Sequence, residues 1–295
     1  MTEFIDVNAN FLNADWWKTA TVEDVEAEIA KGADVNAEDK DGWNSMFYAA
    51  WNNKNPEIIK TLYSFGCNIN KRDKKGTTPL FSATLNENPE ICKTLIELGA
   101  DVNAKNNIDS TPLMWATDFE CNPNIIEMLI KHNADVKIID NKGRTPLISA
   151  VDTSGFGNLE IITSLVKSGA DINAEDYQGW TPLIWSISGG FSAIISDNQI
   201  DSENSAKIIE TIKKLVELGA DINKKFFDGT PLMLAVKVNK NPEIVKTLIE
   251  LGADIKAKDN KGKTALDYAK ENENPEILKV LEEYASLNDI TESFD

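Results

Sequence analysis

The residues of this chain that could carry nucleophilic or acid–base chemistry are many carboxylates, three cysteines and a single histidine, His132. Nucleophilic catalysis needs a base within hydrogen-bond reach of a serine or cysteine. We expect His132 to lie at a solvated surface, because it stands beside a helix end. The sequence therefore predicts neither a Ser-His nor a Cys-His pair.

Many of the 48 acidic residues recur in two contexts, Ala-Asp-Val/Ile-Asn and Asp-x-x-Gly. Because these carboxylates recur with a fixed period, we interpret them as parts of a repeated turn and not as catalytic pairs. The chain also lacks a glycine-rich phosphate loop, a His-Glu-x-x-His motif and a calcium-loop spacing of carboxylates. We predict no enzyme, no metal site and no cofactor.

The cysteines Cys67, Cys92 and Cys121 are widely spaced and form no Cys-x-x-Cys pair. This pattern predicts neither a disulfide framework nor a zinc site. We expect Cys67 and Cys92 to be packing residues, and leave Cys121, near a loop between helices, open.

No basic region precedes an apolar run, and no stretch approaches the ~20 apolar residues of a membrane span. We expect a cytoplasmic protein.

The formal net charge of −18 limits the partners of the chain. Nucleic-acid backbones and anionic membranes would repel it over a Debye length. We therefore expect a protein partner, with no nucleic acid and no membrane as partner. We also expect a monomer.

An internal repeat determines the fold. The triplet Thr-Pro-Leu recurs at residues 78–80, 111–113, 145–147, 181–183 and 230–232, with degenerate copies at 44–46 and 264–266. The spacings are 34, 33, 34, 36, 49 and 34 residues. A second string, Gly-Ala-Asp-Val/Ile-Asn, ends the units at 32–36, 99–103, 169–173 and 219–223, with variants at 66–70, 133–136 and 252–255.

These strings resemble the ankyrin-repeat family, whose period is about 33 residues, over roughly residues 15–285. The resemblance implies an all-α solenoid with short β-hairpin turns, of about seven repeats plus an N-terminal half repeat. We predict an N-terminal arm over 1–14, the solenoid over 15–285 and an acidic C-terminal tail over 286–295.

Helix starts and ends support this fold independently of the family. All ten prolines stand in Thr-Pro or Asn-Pro, where the preceding side chain caps a helix and proline fits the first turn. Twelve of the sixteen glycines stand at helix ends or turns, where a left-handed backbone favours glycine. One repeat is predicted to be hairpin, helix, loop, helix.

Two features depart from the family pattern. About fifteen extra residues within 189–205 separate the two helices of the fifth full repeat. They form either a tolerated surface loop or a specificity element, and we expect them to pack on the stack before a lengthened helix. The family's common histidine after Thr-Pro-Leu is also missing, and we expect apolar packing to replace its hydrogen bonds. The residues in its place are Phe47, Phe81, Met114, Ile148, Ile184, Met233 and Asp267.

By resemblance to the family, partners bind a concave face made of the turn tips and the outward side of each first helix. The aromatic residues carried over to this face are Trp43, Trp51, Phe119, Tyr177 and Trp180, and the basic ones are Lys74, Lys75, Lys142 and Arg144. Aromatic anchors often contribute about 2 kcal/mol or more to an interface.

Alternatives stay open for several of these residues. Trp43 and Trp180 could instead pack on their own or a neighbouring hairpin, and the basic tips could recognise acidic groups or form a solvated edge. We expect Trp115 and Trp185 to lie in the core.

The sequence thus predicts a protein–protein interaction module that binds a protein partner on its concave face. The alternative is an inhibitory or host-directed, effector-type acidic solenoid that masks a basic site on another protein. Binding that collapses with added salt would indicate the second.

Overall fold

The structure is a computed structural model that describes residues 7–119, 122–152, 158–188, 202–227, 229–238, 241–272 and 274–292. The chain divides into two compact units, residues 1–141 and 142–295. Helices of the first unit are α1 (Ala14–Trp17), α2 (Val22–Ala30), α3 (Ser45–Asn52), α4 (Pro56–Ser64), α5 (Pro79–Ala83), α6 (Pro89–Glu97), α7 (Pro112–Asp118) and α8 (Pro123–Lys131). Those of the second are α9 (Pro146–Asp152), α10 (Leu159–Lys167), α11 (Pro182–Ser188), α12 (Ser202–Glu217), α13 (Pro231–Val238), α14 (Pro242–Glu250), α15 (Ala265–Glu271) and α16 (Pro275–Glu292).

Each of the ten prolines is the first residue of a helix, as the dipeptides predicted. Proline suits this place because its φ is preset and the first amide of a helix has no partner in the helix. At α4 the Asn55 side chain accepts a hydrogen bond from the N–H of Glu57 at 3.0 Å. The prediction that Asn-Pro starts the second helix of a repeat is confirmed there.

Left-handed residues end the second helices. Gly99 has a φ of 99°, and the following N–H, that of Ala100, donates to the Leu95 carbonyl at 2.9 Å. Asn133 takes the same place after α8 with a φ of 70°. An asparagine tolerates this conformation better than most residues with a side chain, so Asn133 can take the place that glycine has in the other repeats.

The predicted hairpins are tight turns in the structure. In one of them the N–H of Asp73 donates to the Thr77 carbonyl at 3.0 Å. The Asp73 carboxylate accepts the N–H groups of Lys75 and Thr77 at 2.9 and 2.8 Å. Within the described ranges the one β-bridge pairs Phe226 with Gly229. The periodic Asp-x-x-Gly carboxylates therefore hold turns, as predicted.

Six of the seven positions that lack histidine hold buried apolar side chains, such as Phe47, Phe81 and Met114. Apolar packing is confirmed at these six. The seventh residue, Asp267, instead accepts the N–H of Thr264 at the start of α15. Hydrogen bonds between repeats nevertheless persist at other places, where asparagines make them.

Asparagines link consecutive repeats at the helix ends. The Asn70 side-chain amide donates to the Gly99 carbonyl at 3.0 Å and accepts from the N–H of Asp101 at 2.9 Å. The same double link is made by Asn36, Asn103, Asn173 and Asn223. We call these five residues the asparagine ladder. Since Asn173 links to Gly219 and Asp221, the long spacing in that repeat leaves its neighbour contacts intact.

The second helix after the insertion is lengthened, as predicted. Helix α12 has 16 residues, whereas α4 and α14 have nine each. Residues 189–201, on which the expected packing of the insertion depends, lie outside the described residues, as does Cys121. At the other end, α16 continues to Glu292, into the segment that we predicted as an acidic tail.

The packing roles of Cys67 and Cys92 are confirmed, since both thiols are buried. The Cys67 thiol donates to the Val35 carbonyl at 3.2 Å and lies 3.4 Å from the Ser45 hydroxyl. Burial raises the pKa of Cys67, and the thiolate is the reactive form.

We expect Cys67 and Cys92 in the folded protein to react with iodoacetamide at least about a hundredfold more slowly than in urea, because modification requires local opening. Mass spectrometry of tryptic peptides follows each cysteine separately. Equal rates in folded and unfolded protein would contradict the packing described here.

Candidate functional site

A pocket of about 530 Å³ lies in the first unit, between the turn tips and the first helices of three successive repeats. Its lining is Ala14, Asp39, Asp41, Trp43, Tyr48, Trp51, Asp73, Lys74, Lys75, Thr77, Phe81, Ser82, Leu85 and Trp115. We call it the aromatic pocket, because five of these side chains are aromatic rings.

Trp43 is built into the wall of the aromatic pocket. Its ring stacks on Phe47 with centroids 5.3 Å apart, and its indole N–H donates to the Asp73 carboxylate of the next turn at 3.0 Å. The ring of Trp51, on α3, meets Trp43 at 80° with centroids 5.6 Å apart. Trp51 is 44% exposed, whereas Trp43 is half-buried. Trp43 therefore packs against a neighbouring turn, which is one of the two interpretations given above.

Trp115, on α7, also lines the aromatic pocket. Its ring lies 5.8 Å from that of Phe81 and 4.9 Å from that of Phe119. Trp115 is half-buried and lines the pocket, so the expectation of a core position was wrong, because its ring faces a gap between turn tips. Phe119 is 56% exposed. Trp185, in the second unit, is buried as expected.

Carboxylates also line the aromatic pocket. The Tyr48 hydroxyl donates to Asp39 at 2.7 Å. Burial alone would raise the pKa of Asp39, but hydrogen bonds from Tyr48 and from backbone N–H groups of its turn hold it below its ordinary value. Burial and the Asp39 carboxylate raise the pKa of Tyr48. The pocket thus keeps an ionised carboxylate beside aromatic rings at neutral pH.

The aromatic residues of the second unit are arranged differently. Trp180 lies with its ring 4.9 Å from Trp185 and 6.3 Å from Phe226. Tyr177 is 72% exposed, and its ring covers Gly143 of the preceding turn. The structure therefore joins Trp180 to Trp185 and Phe226, while Tyr177 projects from its own tip.

Phe227 is an exposed aromatic residue that our sequence reasoning missed. It is 72% exposed and has a φ of 41°, which is unusual for a bulky side chain. The available signal was a shortened turn: Gly229 directly precedes Thr230, whereas Trp180 separates Gly179 from Thr181 in the preceding repeat.

The basic tip residues are divided between the units. Lys74 and Lys75 line the aromatic pocket of the first unit. In the second unit Lys142 is exposed and Arg144 is half-buried. The Lys142 carbonyl accepts the N–H of Tyr177 at 3.0 Å, which ties two successive tips together.

His132 is the half-exposed residue that ends α8. Within the described ranges no group of three or more His, Cys, Asp or Glu side chains could hold a metal ion. Across the same residues, no helix has the length and apolar character that a membrane crossing requires.

Helix pairs joined by turn tips, with asparagines linking consecutive pairs at five places, define a helical repeat protein. The family model described as "Ankyrin repeats (3 copies)" matches residues 20–106, 104–176 and 200–291. The chain belongs to the ankyrin-repeat family. Ankyrin repeats are in general protein–protein interaction modules, and the fold is known as a non-enzymatic scaffold.

A solved structure described as the crystal structure of the human ASB11 ankyrin repeat domain is similar to this chain. The TM-score is 0.62 at 25% sequence identity, and the match covers 80% of this chain and 95% of the other. No curated protein matches the sequence.

Proposed function

We propose that this protein is a cytoplasmic interaction module that binds a protein partner on the face formed by its turn tips and first helices. The observation that carries the proposal is the aromatic pocket together with the exposed rings of Trp51 and Phe119 beside it. Buried interface centres are enriched in aromatic residues. Neither ring is needed to fill the core, since 44% of Trp51 and 56% of Phe119 face solvent.

In the second unit we assign Tyr177, which is 72% exposed, to partner contact. Lys142, which is also exposed, lies on the preceding tip. Trp180 supports this tip through Trp185 and Phe226. We therefore assign Trp180 a packing role as well as a place on the proposed surface.

Affinity capture from the native lysate tests the proposal. We expect a Trp51→Ala, Phe119→Ala variant to retain at least about tenfold less of the partner than the unaltered protein, because two exposed anchors are removed. The matched control is Tyr63→Ala, Phe65→Ala, which removes two rings of similar exposure, 44% and 48%, at the end of α4.

Circular dichroism must first show that both variants fold. Equal retention by all three proteins, or equal loss in both variants, would contradict the assigned surface.

The alternative function is that of an acidic module which masks a basic site on another protein. The net charge of −18 and the carboxylates in the aromatic pocket favour it. A partner that is captured in low salt and released by about 0.5 M sodium chloride would support this function, since the Debye length then falls well below 10 Å.

A further inference from the structure

We propose that the aromatic pocket takes a cationic side chain, the guanidinium of an arginine or the ammonium of a lysine, from a basic segment of the protein partner. This inference rests on the proposed function, because it specifies the chemistry that the partner presents to the same surface.

The pocket has the aromatic walls that a cation requires. The rings of Trp43 and Trp51 meet at 80° and make two sides of a corner. Trp115 supplies an indole on another side of the same pocket. A cation within about 6 Å of an aromatic face is attracted by the negative charge of that face, most strongly for tryptophan.

Carboxylates in the pocket complement that cation. Asp39, Asp41 and Asp73 line it together with the rings. The carboxylates of Asp39 and Asp73 are fixed in position, since each accepts two backbone N–H groups of its own turn. A site that is already organised in this way loses little freedom when a partner binds.

Lys74 and Lys75 also line the pocket, and they do not neutralise its carboxylates by contact. In the part of the chain that the structure describes, neither lysine forms an ion pair with Asp39, Asp41 or Asp73. The residues that line the pocket therefore include three acidic and two basic ones, on a chain whose net charge is −18. The field of the whole protein favours a basic partner over an acidic one.

Capped pentapeptides test this assignment on the full chain. The probes are acetyl-Gly-Ser-X-Ser-Gly-amide with arginine, citrulline or glutamate at X. Citrulline keeps the shape of arginine and removes its charge. Binding is followed through the indole N–H signals of the protein in nuclear magnetic resonance spectra. We expect the arginine peptide to bind about tenfold more tightly than the citrulline peptide.

Two variants test whether the cation binds in the pocket. Trp51→Ala is expected to weaken the arginine peptide about tenfold, and Asp41→Asn about threefold. The matched control is Asp109→Asn, which removes a tip carboxylate that does not line the pocket, and asparagine tolerates the φ of 60° found there. We expect this control to bind the arginine peptide as the unaltered protein does.

Three results would overturn the inference: citrulline or glutamate peptides that bind as tightly as the arginine peptide, an equal loss in Asp41→Asn and Asp109→Asn, or no change in the indole signals up to about 5 mM arginine peptide. If the partner is still lost from the Trp51→Ala, Phe119→Ala variant, the interaction surface stands and only the cation assignment fails. If the arginine peptide binds and capture is unaffected, the proposed partner surface fails instead.

Discussion

An Asn86→Ala variant is expected to lose about 2–4 kcal/mol of unfolding free energy, because it leaves several buried backbone groups without partners. The Asn86 amide donates to the carbonyls of Ala50 and Asn53 at 2.9 Å each. Its side-chain oxygen accepts the N–H of Asn88 at 2.9 Å. Asn86 is buried, so water does not replace these bonds in the folded state.

The matched control for Asn86→Ala is Asn52→Ala. The half-buried Asn52 amide donates one bond, at 3.2 Å, to the Tyr48 carbonyl of its own helix. We expect its loss to cost less than about 1 kcal/mol. Urea titration followed by tryptophan fluorescence compares the two midpoints. Similar midpoints would show that the bonds between repeats contribute no more than a bond within one helix.

Gly143→Ala is expected to cost about 2–5 kcal/mol, the second large effect. Gly143 has a φ of 80°, a conformation that costs a residue with a side chain about 1–2 kcal/mol. An added Cβ would also lie 2.7 Å from both the backbone nitrogen and a ring carbon of Tyr177. Since a backbone atom cannot move aside cheaply, the turn must shift, at a further cost of about 1–3 kcal/mol.

Gly262→Ala separates the two contributions. Gly262 has a φ of 76°, and an added Cβ there meets no atom within 4 Å. We expect it to lose only the conformational cost of about 1–2 kcal/mol. Thermal unfolding followed by circular dichroism gives both values. Equal losses would mean that the contact between Gly143 and Tyr177 has no energetic weight.

Local signals explain why so much of the fold could be predicted from the sequence. Asn55 and Pro56 specify a helix start through their own side chains, and Gly99 specifies a helix end through its own backbone. Neither effect depends on distant residues. Asn133 ends α8 in the same left-handed conformation, which asparagine tolerates.

The pocket was harder to predict, because it depends on side chains from different repeats. Trp43 and Trp51 were selected from their places in the repeat, but the bond from Trp43 to Asp73 joins two turns. Trp115 was assigned to the core because its position in the helix gives no sign of the gap beside it. Phe227 was missed, since its exposure follows from a turn that departs from the repeat.

The asparagine ladder also bears on how the chain folds as it is synthesised. Asn36 bonds to Gly66 and Asn70 to Gly99, 30 and 29 residues further on. A nascent repeat therefore completes its polar contacts soon after the next one leaves the ribosome, without waiting for the C-terminus. Asn173 bonds to the Gly219 carbonyl, which is 46 residues further on. Among the five ladder residues this separation is the longest, so we expect the growing chain to stay unpaired longer at Asn173 than at the other four.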